Sequence, residues 1–181
     1  FWVNRNLREL STIACYGWDD ARFPNLPRED LANFFLVGSA LSYCFMDVTG
    51  ASVVSTPGRS SGSSVLWEVL SSHKNEFKGG VYPRQCFDIK IAADLASLPL
   101  PERRLNSIRQ VRRFLEPFQM STMNLLQECE YNALAIERNL AISMSTFDDA
   151  SHGMVFNKKA RLFVSKIHGR IVPLEEIAKI G

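Results

Sequence analysis

The run Pro27-Arg28-Glu29-Asp30-Leu31-Ala32-Asn33-Phe34-Phe35-Leu36-Val37-Gly38-Ser39-Ala40-Leu41-Ser42-Tyr43-Cys44-Phe45 decides the fold class. Proline presets the backbone angle of a first helical turn and lacks only an N–H that the turn does not need. Glu29 and Asp30 then place negative charge where the helix macrodipole favours it. Beyond them Leu31, Phe34, Phe35, Leu36, Ala40, Leu41, Cys44 and Phe45 are apolar on nearly every side of a helix. A surface helix keeps one polar face, so this one is expected at the centre of a helical domain.

Outward from it the same period recurs. On the N-terminal side, Leu7, Leu10, Ile13 and Ala14 predict a helix over about Asn4 to Tyr16. On the C-terminal side, a short helix is expected from Val65 to about His73, followed by the turn Lys78-Gly79-Gly80. Pro99 and Pro101 open another, with Leu105, Ile108, Val111 and Leu115 as its apolar stripe and Arg103, Arg104, Arg109, Arg112 and Arg113 on the remaining surface. One continuous helix is expected over Thr122 to Ile142, capped by Ser121. A further helix over Phe156 to His168 should stop near Gly169, and a last short one begins at Pro173. The segment Arg84 to Leu95 fits either a brief strand alternation or a helix. There is no internal repeat. The expected class is all-α.

A chain of 181 residues, 46% hydrophobic and 22% charged, fits a single helical domain over 1–181 with a real core. The segment Thr49 to Ser64 is rich in serine, glycine and proline, and is expected to be a flexible loop. A net charge of +2 does not favour nucleic-acid or anionic-membrane binding, and no apolar run reaches the roughly 18 residues of a membrane span. Cys15, Cys44, Cys86 and Cys129 lack zinc-site or thioredoxin spacing and are expected to be reduced and buried. The charged opening around Arg5 to Glu9 is no secretory signal, so an intracellular, cytoplasmic protein is expected.

His73, His152 and His168 stand too far apart for a helical metal motif. No HExxH, GxSxG or dinucleotide fingerprint occurs, and neither a metal nor a cofactor is expected. The densest polar cluster is Phe147-Asp148-Asp149-Ala150-Ser151-His152, followed closely by Asn157-Lys158-Lys159. It reads either as an acidic loop whose aspartates cap or solvate helix ends, or as a carboxylate and an ammonium meeting at the mouth of a cleft.

Five segments resemble the queuosine-salvage family of nucleotide N-glycosidases, in the family's order. Ala40-Leu41-Ser42-Tyr43-Cys44-Phe45-Met46-Asp47 resembles a helix that reads ALNFCFW and then a polar residue. Pro99 to Leu115 and Asn124-Leu125-Leu126 resemble a PLLEER-like start and a later NLL. Phe147-Asp148-Asp149 resembles an FRDE loop, Phe156 to Arg161 an FYKRAQ helix start, and Pro173 to Ile180 the acidic helix ahead of the family's catalytic motif. Ser42 stands for the family's asparagine, Met46 for its tryptophan, Asp148 for its arginine and Arg161 for its glutamine.

The resemblance implies a helical fold related to the helix-hairpin-helix DNA glycosylases and release of queuine from queuosine 5′-monophosphate. The family's catalytic aspartate, in a motif resembling ADYRVP, would fall at or beyond Gly181, so the chain is expected to be part of a longer protein. Breaking an N-glycosidic bond builds positive charge on the sugar and negative charge on the base, so it calls for a carboxylate near the anomeric carbon and donors near the base. Lys158 and Asp149 are the candidate catalytic pair. Lys158 could hold the 5′-phosphate, bond the base or orient the carboxylate. Ser42, Tyr43, Phe45 and Asp47 are the candidate substrate-binding residues. The expected partner is a small nucleotide. Two other readings stand beside this one: a DNA glycosylase acting on nucleic acid with Lys158, Arg109, Arg112 and Arg113, and a non-catalytic helical interaction domain.

Overall fold

The computed structural model describes residues 24–43, 62–83, 86–154 and 157–171, without the side chains of 62–64 and 168–169. The expected helices over Asn4 to Tyr16 and from Pro173, and the loop up to Ser61, lie outside the described residues. Within them the chain is all-α: α1 Arg28–Leu41, α2 Gly62–Ser72, α3 Phe87–Leu95, α4 Pro101–Leu115, α5 Thr122–Glu128, α6 Ala133–Ser143 and α7 Lys158–Arg170. Short 3-10 turns occupy Lys74–Phe77, Glu116–Phe118 and Ala150–His152, and there is no strand among the described residues. No helix among them is long and apolar enough to cross a membrane.

α1 is the central helix, as its all-round apolar sequence predicts. Eleven of its residues are buried, and it packs on α2, α4, α5 and α7. Phe34 makes edge or tilted ring contacts with Phe35, Trp67 and Phe77. Gly38 lies so close to Trp67 of α2 that a Cβ there would collide with the indole. The absent side chain is what lets these two helices approach. The polar positions of α1 serve as ties: Asp30 accepts the Gly80 N–H at 2.6 Å, and Asn33 Oδ1 accepts both the Thr122 N–H (3.0 Å) and its hydroxyl (2.7 Å). The turn at Gly79 and Gly80 needs glycine, with φ of 105° and 73°.

Several expectations are corrected. Gly62, Ser63 and Ser64 are not loop but the first turn of α2. Of the segment left open at Arg84 to Leu95, the part from Phe87 is the helix α3, with Phe87, Ile91 and Leu95 inward at fourfold spacing. Thr122 to Ile142 is two helices, because Glu130 and Tyr131 both take left-handed backbone angles (φ 51° and 56°). Asn132 then starts α6 by accepting the Leu134 and Ala135 N–H groups, each at 3.0 Å. Ser121 does not cap α5 with its side chain. Asn33, reaching over from α1, does that work instead. α7 ends at Arg170, beside the stop expected near Gly169. Of the cysteines described, Cys129 is buried, whereas Cys86, in the turn ahead of α3, is exposed.

Arg104 was expected on the solvated surface of α4, yet it is fully buried. Its position explains this. The inward stripe of α4 is Arg104, Ile108, Val111 and Leu115, with Leu105 beside it. Extending the 3.6-residue period back one turn from Ile108 lands on Arg104.

Candidate functional site

The C-terminal end of α1 is finished by three side chains, the adjacent Ser42 and two from far along the chain. A helix end leaves carbonyls without intrahelical partners. The Ser42 hydroxyl donates to the Gly38 carbonyl at 2.8 Å, the Thr146 hydroxyl donates to the Ala40 carbonyl at 3.3 Å, and the Arg104 guanidinium donates to the Leu41 carbonyl. Arg104 also donates to the Tyr43 carbonyl at 2.6 Å and, through Nε, to the Pro99 carbonyl at 2.9 Å. A cation at this end also meets the negative pole of the helix.

These bonds fix Tyr43, and its ring gathers charge. The guanidinium carbons of Arg104 and Arg103 lie 4.7 Å and 5.4 Å from the ring centroid, and the Lys159 ammonium lies 5.8 Å from it. All three are within the reach of a cation–π attraction, which offsets part of their mutual repulsion. Arg103 is exposed and forms no ion pair with another described residue.

The fourth partner is a carboxylate. Asp149 is buried, and its two oxygens both go to Lys159: one accepts the backbone N–H at 2.8 Å, the other pairs with the ammonium. The first bond places Asp149 on the N-terminal turn of α7, where the macrodipole also favours it. Burial first, and the Arg103 guanidinium second, hold the Lys159 ammonium down at about 8, against the pull of the carboxylate. The loop that carries Asp149 is held by its own bonds, since the Ala150 N–H donates to Asn157 Oδ1 at 3.1 Å and the Ser151 N–H to Asp148 Oδ1 at 3.2 Å. The Ser151 bonds keep the Asp148 carboxyl below its ordinary range.

The sequence-predicted residues therefore divide. Tyr43 and Asp149 come together through Lys159. Lys158, the leading candidate, is exposed at the start of α7, while its neighbour Lys159 takes the inward place. Ser42 spends its hydroxyl on the end of α1. Phe45 and Asp47 lie outside the described residues. Arg103, Arg104 and Lys159 were missed as site residues. The signal for Lys159 was its spacing of four and eight from Phe163 and Ile167, both fully buried.

Among the described residues no group of three His, Cys, Asp or Glu side chains could hold a metal ion. Two open grooves exist, one between α6 and α7 around Arg138, Asp148 and Arg161, the other around Phe114, Phe118 and Arg113; neither is lined by Tyr43, Asp149 or Lys159. Among the arginines of α4, Arg104 is buried and Arg109 is paired with Asp88 at 3.0 Å. Comparison with known proteins finds no matching family model, no matching curated protein and no matching solved structure.

Proposed function

We propose that this chain binds a nucleoside 5′-monophosphate at the Tyr43 cluster and serves an N-glycosidase whose substrate is queuosine 5′-monophosphate. The observation that carries the reading is a convergence. Tyr43, the pair Arg103 and Arg104, Asp149 and Lys159 come from four separate segments that resemble the queuosine-salvage family, and they meet around one ring.

The chemistry of the cluster suits such a ligand. Arg103 and Lys159 offer donors and positive charge to a phosphate monoester, and a dianion there would favour the protonated form of Lys159. Asp149 acts through Lys159 and so is a positioning residue, because both of its oxygens are already engaged. Lys158 has no part in the reading. The DNA-glycosylase alternative has no comparable convergence behind it, and Arg109, one of its arginines, is paired with Asp88.

The test is calorimetric titration of the chain with queuosine 5′-monophosphate and with queuosine. The expected result is saturable binding in which the phosphate improves affinity at least tenfold. Absence of nucleotide binding overturns the reading.

A further inference from the structure

We propose that Arg104 is the positioning residue of this site, setting the separation between the Tyr43 ring and the phosphate-facing Arg103; the inference rests on the nucleotide reading. Arg104 has no exposed surface. Its acceptors belong to two segments far apart in sequence. The carbonyls of Leu41 and Tyr43 end α1, and the carbonyl of Pro99 begins the turn into α4. One planar guanidinium thus clamps the backbone that carries Tyr43 to the backbone that carries Arg103, the very next residue. The same group lies 4.7 Å from the centre of the Tyr43 ring, so the ring is held by its backbone and by its face.

The stripe of α4 does not need an arginine to pack. Ile108, Val111 and Leu115 fill the other inward positions, so a methionine at 104 would match the apolar stripe while leaving three carbonyls without their donor. It could not bond the carbonyls of Leu41, Tyr43 and Pro99. A lysine would keep the charge, but its single ammonium lacks the fork that reaches acceptors on both segments in one plane. What arginine adds over either is geometric: a fixed register between Tyr43 and Arg103. Leu100 is consistent with a segment held in place, since it sits between two prolines with a left-handed φ of 57°.

The experiment measures dissociation constants for queuosine 5′-monophosphate and queuosine by calorimetry on the wild-type chain and on Arg104→Lys, Arg104→Met, Tyr43→Leu and the Tyr43→Leu double variants. Thermal melting is recorded for each. A residue that merely stabilises the fold shifts the melt and leaves the nucleoside-to-nucleotide ratio alone. The expected result is a ratio about tenfold smaller in Arg104→Lys and Arg104→Met than in wild type, with no further change when either is combined with Tyr43→Leu. An unchanged ratio in a folded Arg104 variant overturns the inference and leaves the nucleotide reading standing, as does an undiminished extra loss in the Tyr43→Leu background. Failure of the wild-type chain to bind the nucleotide overturns both.

Discussion

Asp149 holds Lys159 at two points at once, accepting its backbone N–H at the start of α7 and pairing with its ammonium at the side-chain end. The pair is nearly sealed from solvent, with side-chain exposures of 11% each, so removing one member leaves the other charge buried without its partner. Asp149→Ala is expected to lower stability by about 3 kcal/mol, the loss typical of a broken buried pair. Joint replacement as Asp149→Leu with Lys159→Met should recover most of it, because neither charge is then stranded. Urea unfolding of the wild type and the two variants checks this, and a double variant less stable than Asp149→Ala would refute it.

Lys159 also predicts a pH dependence. Its ammonium is held at about 8 in the folded chain against 10.5 ordinarily. Between these values the unfolded chain holds the proton and the folded chain does not, so stability rises with pH across this window and is flat below it. Tyr82 works in the opposite sense above about pH 10, because burial pushes its phenol up from 10.0 and the unfolded chain ionises first. The measurement is therefore unfolding free energy from pH 7 to 9.5. Wild type should gain on Lys159→Met through that range, and a constant difference would show that Lys159 keeps its proton.

The α5–α6 hairpin carries two non-glycine residues in the left-handed region. Glu130 is exposed, so Glu130→Gly relieves backbone strain without losing packing and should raise stability by up to about 1 kcal/mol. Asn132→Ala removes the acceptor of two amide groups and should cost about 1 kcal/mol. Opposite shifts in the denaturation midpoint are the expected outcome.

At Gly38 the expected response is steric. Gly38→Ala drives a methyl into the Trp67 ring and should destabilise by about 1–3 kcal/mol. Combining it with Trp67→Phe, which shortens the opposing side chain, should cost less than the two changes taken separately. Simple additivity would mean that the helices separate instead of the ring yielding.

For the ligand, Arg103→Gln should weaken queuosine 5′-monophosphate by about tenfold, about 1.4 kcal/mol, and leave queuosine binding unchanged. Lys158→Gln should alter neither, since Lys158 is exposed one helical step, about 100°, around α7 from the buried Lys159. Equal losses for nucleotide and nucleoside in Arg103→Gln would move the phosphate elsewhere.

The helices were legible in the sequence wherever one apolar period ran unbroken. α1 announced both its existence and its central place, because no side of it was polar. The break at Glu130 and Tyr131 was hidden, since neither residue is a glycine and the apolar period of α6 nearly continues that of α5. At the site, Asp149 was legible from local composition, but the choice between Lys158 and Lys159 was not made by composition. It is made by phase: a one-residue step turns a side chain by 100° around α7, which carries Lys159 in and Lys158 out. Arg104 was misplaced for a related reason. Its charge was given more weight than its position on the stripe of α4, and only the carbonyls at the end of α1, invisible in any local window, show why an arginine can be buried there.

The packing of α1 against α7 has a consequence for how this chain comes off the ribosome. α7 begins roughly 120 positions after α1 ends. At about 5–20 residues per second, that leaves the Phe34-Phe35-Leu36-Val37 run waiting on the order of ten seconds for the helix that covers it. During that interval the nascent chain displays its most apolar segment with no intramolecular cover on the α7 side. That exposed run is where a ribosome-associated chaperone would engage it.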